Sequence, residues 1–125
     1  MAEQTKPKGI KVLLPEDQFG SAYGEGTDRQ WVERRQRIGR SLIDTLAKSG
    51  NIYEDKAAFS KAAKVMANIF TDWTLEGDEG PLSKPWGNPK AFEELVETDL
   101  DLSLWVFGIP FRPVSELLAD EDVKN

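Results

Sequence analysis

Chemistry at neutral pH relies on a small set of side chains, and two of the most useful are missing here. The 125-residue chain has no cysteine and no histidine. A thiol nucleophile, a thiolate metal site and an imidazole base or ligand are therefore ruled out. Carboxylates, lysine, serine and tyrosine remain. Glu76, Asp78 and Glu79 place three carboxylates close together, but the alternating oxygen ligands and distant bidentate glutamate of a calcium loop do not follow, so they read as a solvated turn. Among 22 acidic residues no spacing singles out an acid–base pair. We expect no enzyme, no cofactor and no metal site.

Recognition groups are more evident than catalytic ones. Arg29, Arg34, Arg35, Arg37 and Arg40 cluster in sequence and fit a phosphate, an acidic partner surface, the acidic C-terminal half of the chain itself, or simply a solvated helix face. No aromatics interleave with them as a base-stacking platform would require, which disfavours nucleic acid. Trp73, Trp86 and Trp105 are core candidates. Trp86, between Pro85 and Gly87, is the one expected to stay partly exposed and serve as a partner contact.

The elements that must position these residues read as mainly α, with a central antiparallel helical hairpin. Thr27 and Gln30 form a capping box, and a helix is expected over residues 27–48. Trp31, Ile38, Leu42 and Thr45 lie along one stripe of it, with Arg29, Arg37 and Arg40 opposite. Asn51 and Glu54 offer a second capping box. The helix they open carries Phe59, Ala62, Met66, Ile69, Phe70 and Trp73 as a core stripe up to residue 73. Asn88 and Pro89 start a shorter helix burying Phe92, Leu95 and Val96. Residues 99–107 fit either a helix capped by Thr98 or Asp99, or a strand through the alternation of Leu100, Leu102, Leu104 and Val106; helical neighbours favour the helix. Before the hairpin, Ile10 to Leu14, ended by Pro15, reads as one extended segment with no obvious partner.

The length suits one domain: a polar arm over residues 1–9, a helical domain over 10–113, and a short helix with an acidic tail over 114–125. The net charge of -6 is uneven: residues 1–75 carry 12 basic and 10 acidic side chains, residues 76–125 carry 4 and 12. No apolar run approaches the ~20 residues that span a bilayer, and the N-terminus lacks the apolar core of a signal peptide.

Trp73 at the end of an alanine-rich helix, then L-E-G-D-E-G-P-L, a capped helix and a last apolar one, resembles the tail assembly chaperones of long-tailed bacteriophages. Trp73, Leu75, Asp78, Gly80, Pro81 and Leu82 carry the match, and the apolar Ile10 to Pro15 segment looks like the family's short N-terminal β segment. A second tryptophan with Pro85 and Pro89 makes this loop more elaborate than the family's simple form. The resemblance implies a non-enzymatic protein of the host cytoplasm, oligomeric, which coats the tape measure protein, recruits tail tube subunits and is absent from the finished particle. An amphipathic partner helix would lie in an apolar groove, with Phe59, Met66 and Phe70 as candidate lining residues. Two other readings are a small structural virion protein, such as a head-to-tail connector or tail component, and a helical nucleic-acid-binding regulator using the arginines.

Overall fold

The computed structural model describes residues 6–117. Residues 1–5 of the expected arm and the acidic tail over residues 120–125 lie outside them. The described chain is mixed α/β, which corrects the mainly helical expectation. Strand β1 (Gly9–Leu13), helix α1 (Glu16–Phe19), strand β2 (Trp31–Arg35), helices α2 (Arg40–Ala47) and α3 (Lys56–Met66) and strand β3 (Phe70–Trp73) come first. The short strands β4 (Glu76–Gly77) and β5 (Gly80–Pro81) follow, then helices α4 (Lys90–Thr98) and α5 (Leu100–Gly108).

The three longer strands form an antiparallel sheet in the order β1-β2-β3. Val12 pairs with Val32 and Val32 with Trp73, so these side chains share the core face; Ile10, Arg34 and Phe70 form the next row. On the opposite face Lys11 Nζ lies 4.3 Å from the centre of the Trp31 ring, a cation–π contact. Between Glu33 and Arg34 the β2–β3 register shifts, leaving Thr71 as the extra residue of a bulge. Its hydroxyl is buried and donates to Glu33 Oε1 at 2.7 Å.

Two expected helices are thus partly strand. Residues 27–48 do not form one helix. Trp31–Arg35 alternates half-buried and buried side chains as a strand does, and Gly39, extended at φ -71° and ψ 159°, separates it from α2, which starts at Arg40. The second helix begins at Asp55, not Asn51: Asp55 Oδ1 accepts from the amides of Ala57 and Ala58, while Asn51 Nδ2 bonds Glu54 Oε2 instead. It also ends at Met66, seven residues short of Trp73. Beyond it the main chain pairs with β2, as in the 2.9 Å bond from the Arg35 amide to Ile69 O. Helices α2 and α3 do touch, but they are not the organising hairpin.

Helix α4 starts after Pro89 without the expected Asn88 cap, since the Asn88 side chain donates to Lys84 O at 3.1 Å instead, whereas α5 follows its cap. Asp99 Oδ1 accepts from the Leu102 amide and opens α5 as a helix. Its buried side is Leu102, Ser103, Val106 and Phe107; Leu100 and Leu104 face solvent. The core is one cluster joining the sheet to α3, α4 and α5. Phe92 is its hub, with ring centres 5.2 Å from Trp73, 6.0 Å from Phe70 and 6.0 Å from Phe107. Each such fully buried side chain contributes about 1.5–3 kcal/mol.

Candidate functional site

Between β3 and α4 the chain is tied down at nearly every residue. Trp73 is wholly buried and its Nε1 donates to Ser83 O at 2.9 Å. Lys84 Nζ reaches back to Trp73 O at 2.6 Å and to Asp72 Oδ1 at 3.1 Å. Leu75 is buried, and β4 and β5 pair as a tight hairpin with Asp78 and Glu79 at its tip. Gly80 holds φ +118°, a conformation that side-chain-bearing residues rarely adopt. Glu94 on α4 closes the unit: Oε1 accepts from the Ser83 amide at 3.0 Å and Oε2 from the Ser83 hydroxyl at 2.7 Å. Those two bonds, the amide one first, hold its carboxyl below the usual range. The segment therefore fixes where α4 lies.

Helix α4 forms one wall of an open groove with a volume of about 460 Å³, whose other side is the start of α3 and the loop before it. Ile52, Tyr53, Phe59 and Val96 supply its apolar surface, and Glu54, Asp55, Glu93 and Glu97 its rim, with Lys56 as the one basic side chain. The aromatic floor continues the core: Phe59 stacks on Phe107 at 5.7 Å, and Tyr53 lies 6.2 Å from the same ring. Tyr53 Oη and Ser103 Oγ are 3.0 Å apart. Burial raises the pKa of the Tyr53 phenol, against the opposing effect of that bond. A second acidic cleft lies across α4, where Glu97 again contributes, with Asp78, Glu79, Leu82 and Glu94. None of these carboxylates forms an ion pair among the described residues.

The residues singled out by sequence do not converge. Phe59 lines the groove, half-buried. Met66 and Phe70 have no exposed surface and are core. Trp86 is half-buried, like Trp31 and Trp105, and its Nε1 is enclosed with no hydrogen-bond partner. The next amide, Gly87 N, donates to Ala67 O at 2.9 Å, holding this loop on the end of α3.

The arginines make no common face. Arg29 is buried, donating through Nη1 to Leu14 O at 3.1 Å and through Nε to Gly26 O at 3.0 Å. Arg34 is also buried, donating to Arg35 O, Gln36 O and Arg112 O, and burial lowers its pKa. Arg37 and Arg40 are exposed, Arg40 lying 4.0 Å from Asp44.

Comparison with known families, curated proteins and solved structures finds no match to this chain.

Sequence reasoning missed Tyr53, Val96, Glu93 and Glu97. The readable signal was Glu93 and Glu97, like charges four residues apart on the same side of one helix, which no ion pair among the described residues explains. Chemically the groove offers an apolar surface and negative charge, the equipment of a binding site. Among the described residues no acidic group is arranged to hold a metal ion, and no helix is long and apolar enough to cross a membrane.

Proposed function

We propose that this chain is a tail assembly chaperone of a long-tailed bacteriophage, a non-enzymatic binding protein that works in the host cytoplasm. It holds the tape measure protein in soluble form and brings tail tube subunits to it. One observation supports the reading above others. The residues that carry the family resemblance, from Trp73 to Leu82, belong to a locked unit that sets α4 as the wall of an open apolar groove. Such a groove is what an amphipathic partner helix requires.

This reading expects a long helical protein to be encoded beside this chain in its genome, and the test is co-expression with that tape measure candidate. The tape measure candidate should stay soluble and co-purify with the chain, and should precipitate without it. Mass spectrometry of purified particles separates the chaperone from a virion component: the chaperone is absent, and stoichiometric presence would reject this reading in favour of a connector or tail subunit.

A further inference from the structure

Resting on the chaperone reading for its biological setting but not for its chemistry, we infer that the groove between α3 and α4 takes a lysine- or arginine-rich amphipathic helix, docked along α4. The surface has the two components such a helix would match. Its floor is apolar and continuous with the core through Phe59 and Tyr53, with Ile52 and Val96 beside them. A volume of about 460 Å³ has room for about three apolar anchors of the kind that recur at i, i+3 or i+4 and i+7.

Charge selects among possible occupants. Glu93 and Glu97 stand on one side of α4 and Asp78 and Glu79 on the other, and Glu97 borders both hollows. These four carboxylates are without ion-pair partners among the described residues. A cationic helix laid along α4 would meet acidic groups on both edges while its apolar stripe entered the groove. Such complementarity steers encounter and fixes orientation. The same charge repels nucleic acid, anionic membranes and a second copy of a chain whose net charge is -6. A single small cation is not the fit either, since no acidic group among the described residues is arranged to hold a metal ion. A protein segment bearing both lysines or arginines and an apolar face is what satisfies both components.

The experiment uses the full chain and a labelled 18-residue leucine/lysine amphipathic helical peptide, followed by fluorescence anisotropy. Two control peptides keep its length: one replaces every leucine by serine at unchanged charge, the other replaces every lysine by glutamate. The leucine/lysine peptide should bind, with affinity falling but not vanishing between low and moderate salt, and both controls should bind at least tenfold more weakly. The double variant Glu93→Lys/Glu97→Lys, altered at exposed positions and checked for an unchanged circular dichroism spectrum and melting point, should lose at least tenfold in affinity. Substitutions at Arg37 and Arg40, which are not among the residues lining the groove, should change nothing. Equal binding of the serine control overturns the proposal, because charge alone then suffices; so does equal binding by the double variant. A dimer of the chain in sedimentation that the peptide fails to displace assigns the groove to a second copy and overturns it as well. Co-purification of the tape measure candidate with the wild-type chain and the double variant alike keeps the chaperone reading and rejects this surface. Peptide binding that the double variant loses, without tape measure co-purification, keeps the surface and rejects the chaperone.

Discussion

Replacing Tyr23 by phenylalanine removes one hydroxyl that joins two distant parts of the fold. Tyr23 Oη donates to Asp99 Oδ2 at 2.7 Å, while Asp99 Oδ1 accepts from the Leu102 amide and the Asp99 amide bonds Leu95 O. Asp99 thus ends α4 and starts α5, and Tyr23 fastens that junction to the loop between β1 and β2. A hydrogen bond to a charged acceptor contributes about 1.5–3 kcal/mol. Asp99 is only half-buried and keeps its helix-cap bond, so water partly replaces the lost partner and Tyr23→Phe should cost about 1.5 kcal/mol. Asp99→Ala loses the same bond and the cap, worth about 1 kcal/mol, and strands the hydroxyl of a side chain that is 8% exposed; about 3 kcal/mol is expected. In the double variant the shared bond is lost only once and no hydroxyl is stranded, so the combined loss should be about 2.5 kcal/mol, about 2 kcal/mol short of the sum. Urea denaturation with a common slope m for all four proteins measures this coupling. Additivity within about 0.5 kcal/mol would refute the linkage.

The same pair carries a pH signature. Burial and then the Asp99 carboxylate push the Tyr23 phenol far above its ordinary value of 10.0. Above pH 10 the unfolded chain has lost that proton and the native chain retains it, so stability falls as pH rises. The Tyr53 phenol, whose pKa is also raised, adds a fall of the same sign. The decline should be shallower in Tyr23→Phe, and an unchanged slope would contradict the assignment.

Three further outcomes can be checked by denaturation. Glu94 has a depressed pKa, so its share of stability is present above the ordinary 4.5 and lost as pH falls through its lower native value; Glu94→Gln should flatten the urea midpoint between neutral and acid pH, and equal slopes in the two proteins would count against the Ser83 bonds. Gly80→Ala meets nothing within 4 Å but must hold φ +118°, so a loss of about 1–3 kcal/mol from backbone strain alone is expected in thermal melts. Arg34→Leu leaves the carbonyls of Arg35, Gln36 and Arg112 without their donor and should cost about 2–4 kcal/mol in urea midpoints, with little recovery in Arg34→Lys because one ammonium cannot reproduce the planar fork.

What could be read from sequence was what neighbours in sequence decide. Asp99 as a cap and the short helix after Pro89 are local: an acceptor beside free amides, a proline where its missing amide is harmless. The strands were not local. Trp31 and Leu42 fall on one helical stripe, yet Gly39 divides them. What makes Trp31–Arg35 a strand is pairing on both edges. Arg34 looked like a solvent-facing arginine because one of its acceptors, Arg112 O, lies 78 positions away. For Phe70 and Trp73 burial was no guide, since both are core whether the segment is helix or strand. The bulge at Thr71 lets Phe70 and Thr71 be buried in succession and breaks the alternation that would have marked a strand.

The groove was half legible for the same reason. Phe59 was visible as an apolar helix residue, but placing the start of α3 at Asn51 put Tyr53 inside a helix instead of on the loop that faces α4. Glu93 and Glu97 differ from all of these, because their signal is local and needs no partner strand to read. Like charges at i and i+4 destabilise an isolated helix by a few tenths of a kcal/mol. Neither forms an ion pair with a lysine or arginine among the described residues. A helix that bears the cost beside an apolar hollow is better adapted to a cationic partner than to standing alone, so the acidic edge of α4 was the sequence's most direct indication of a binding surface.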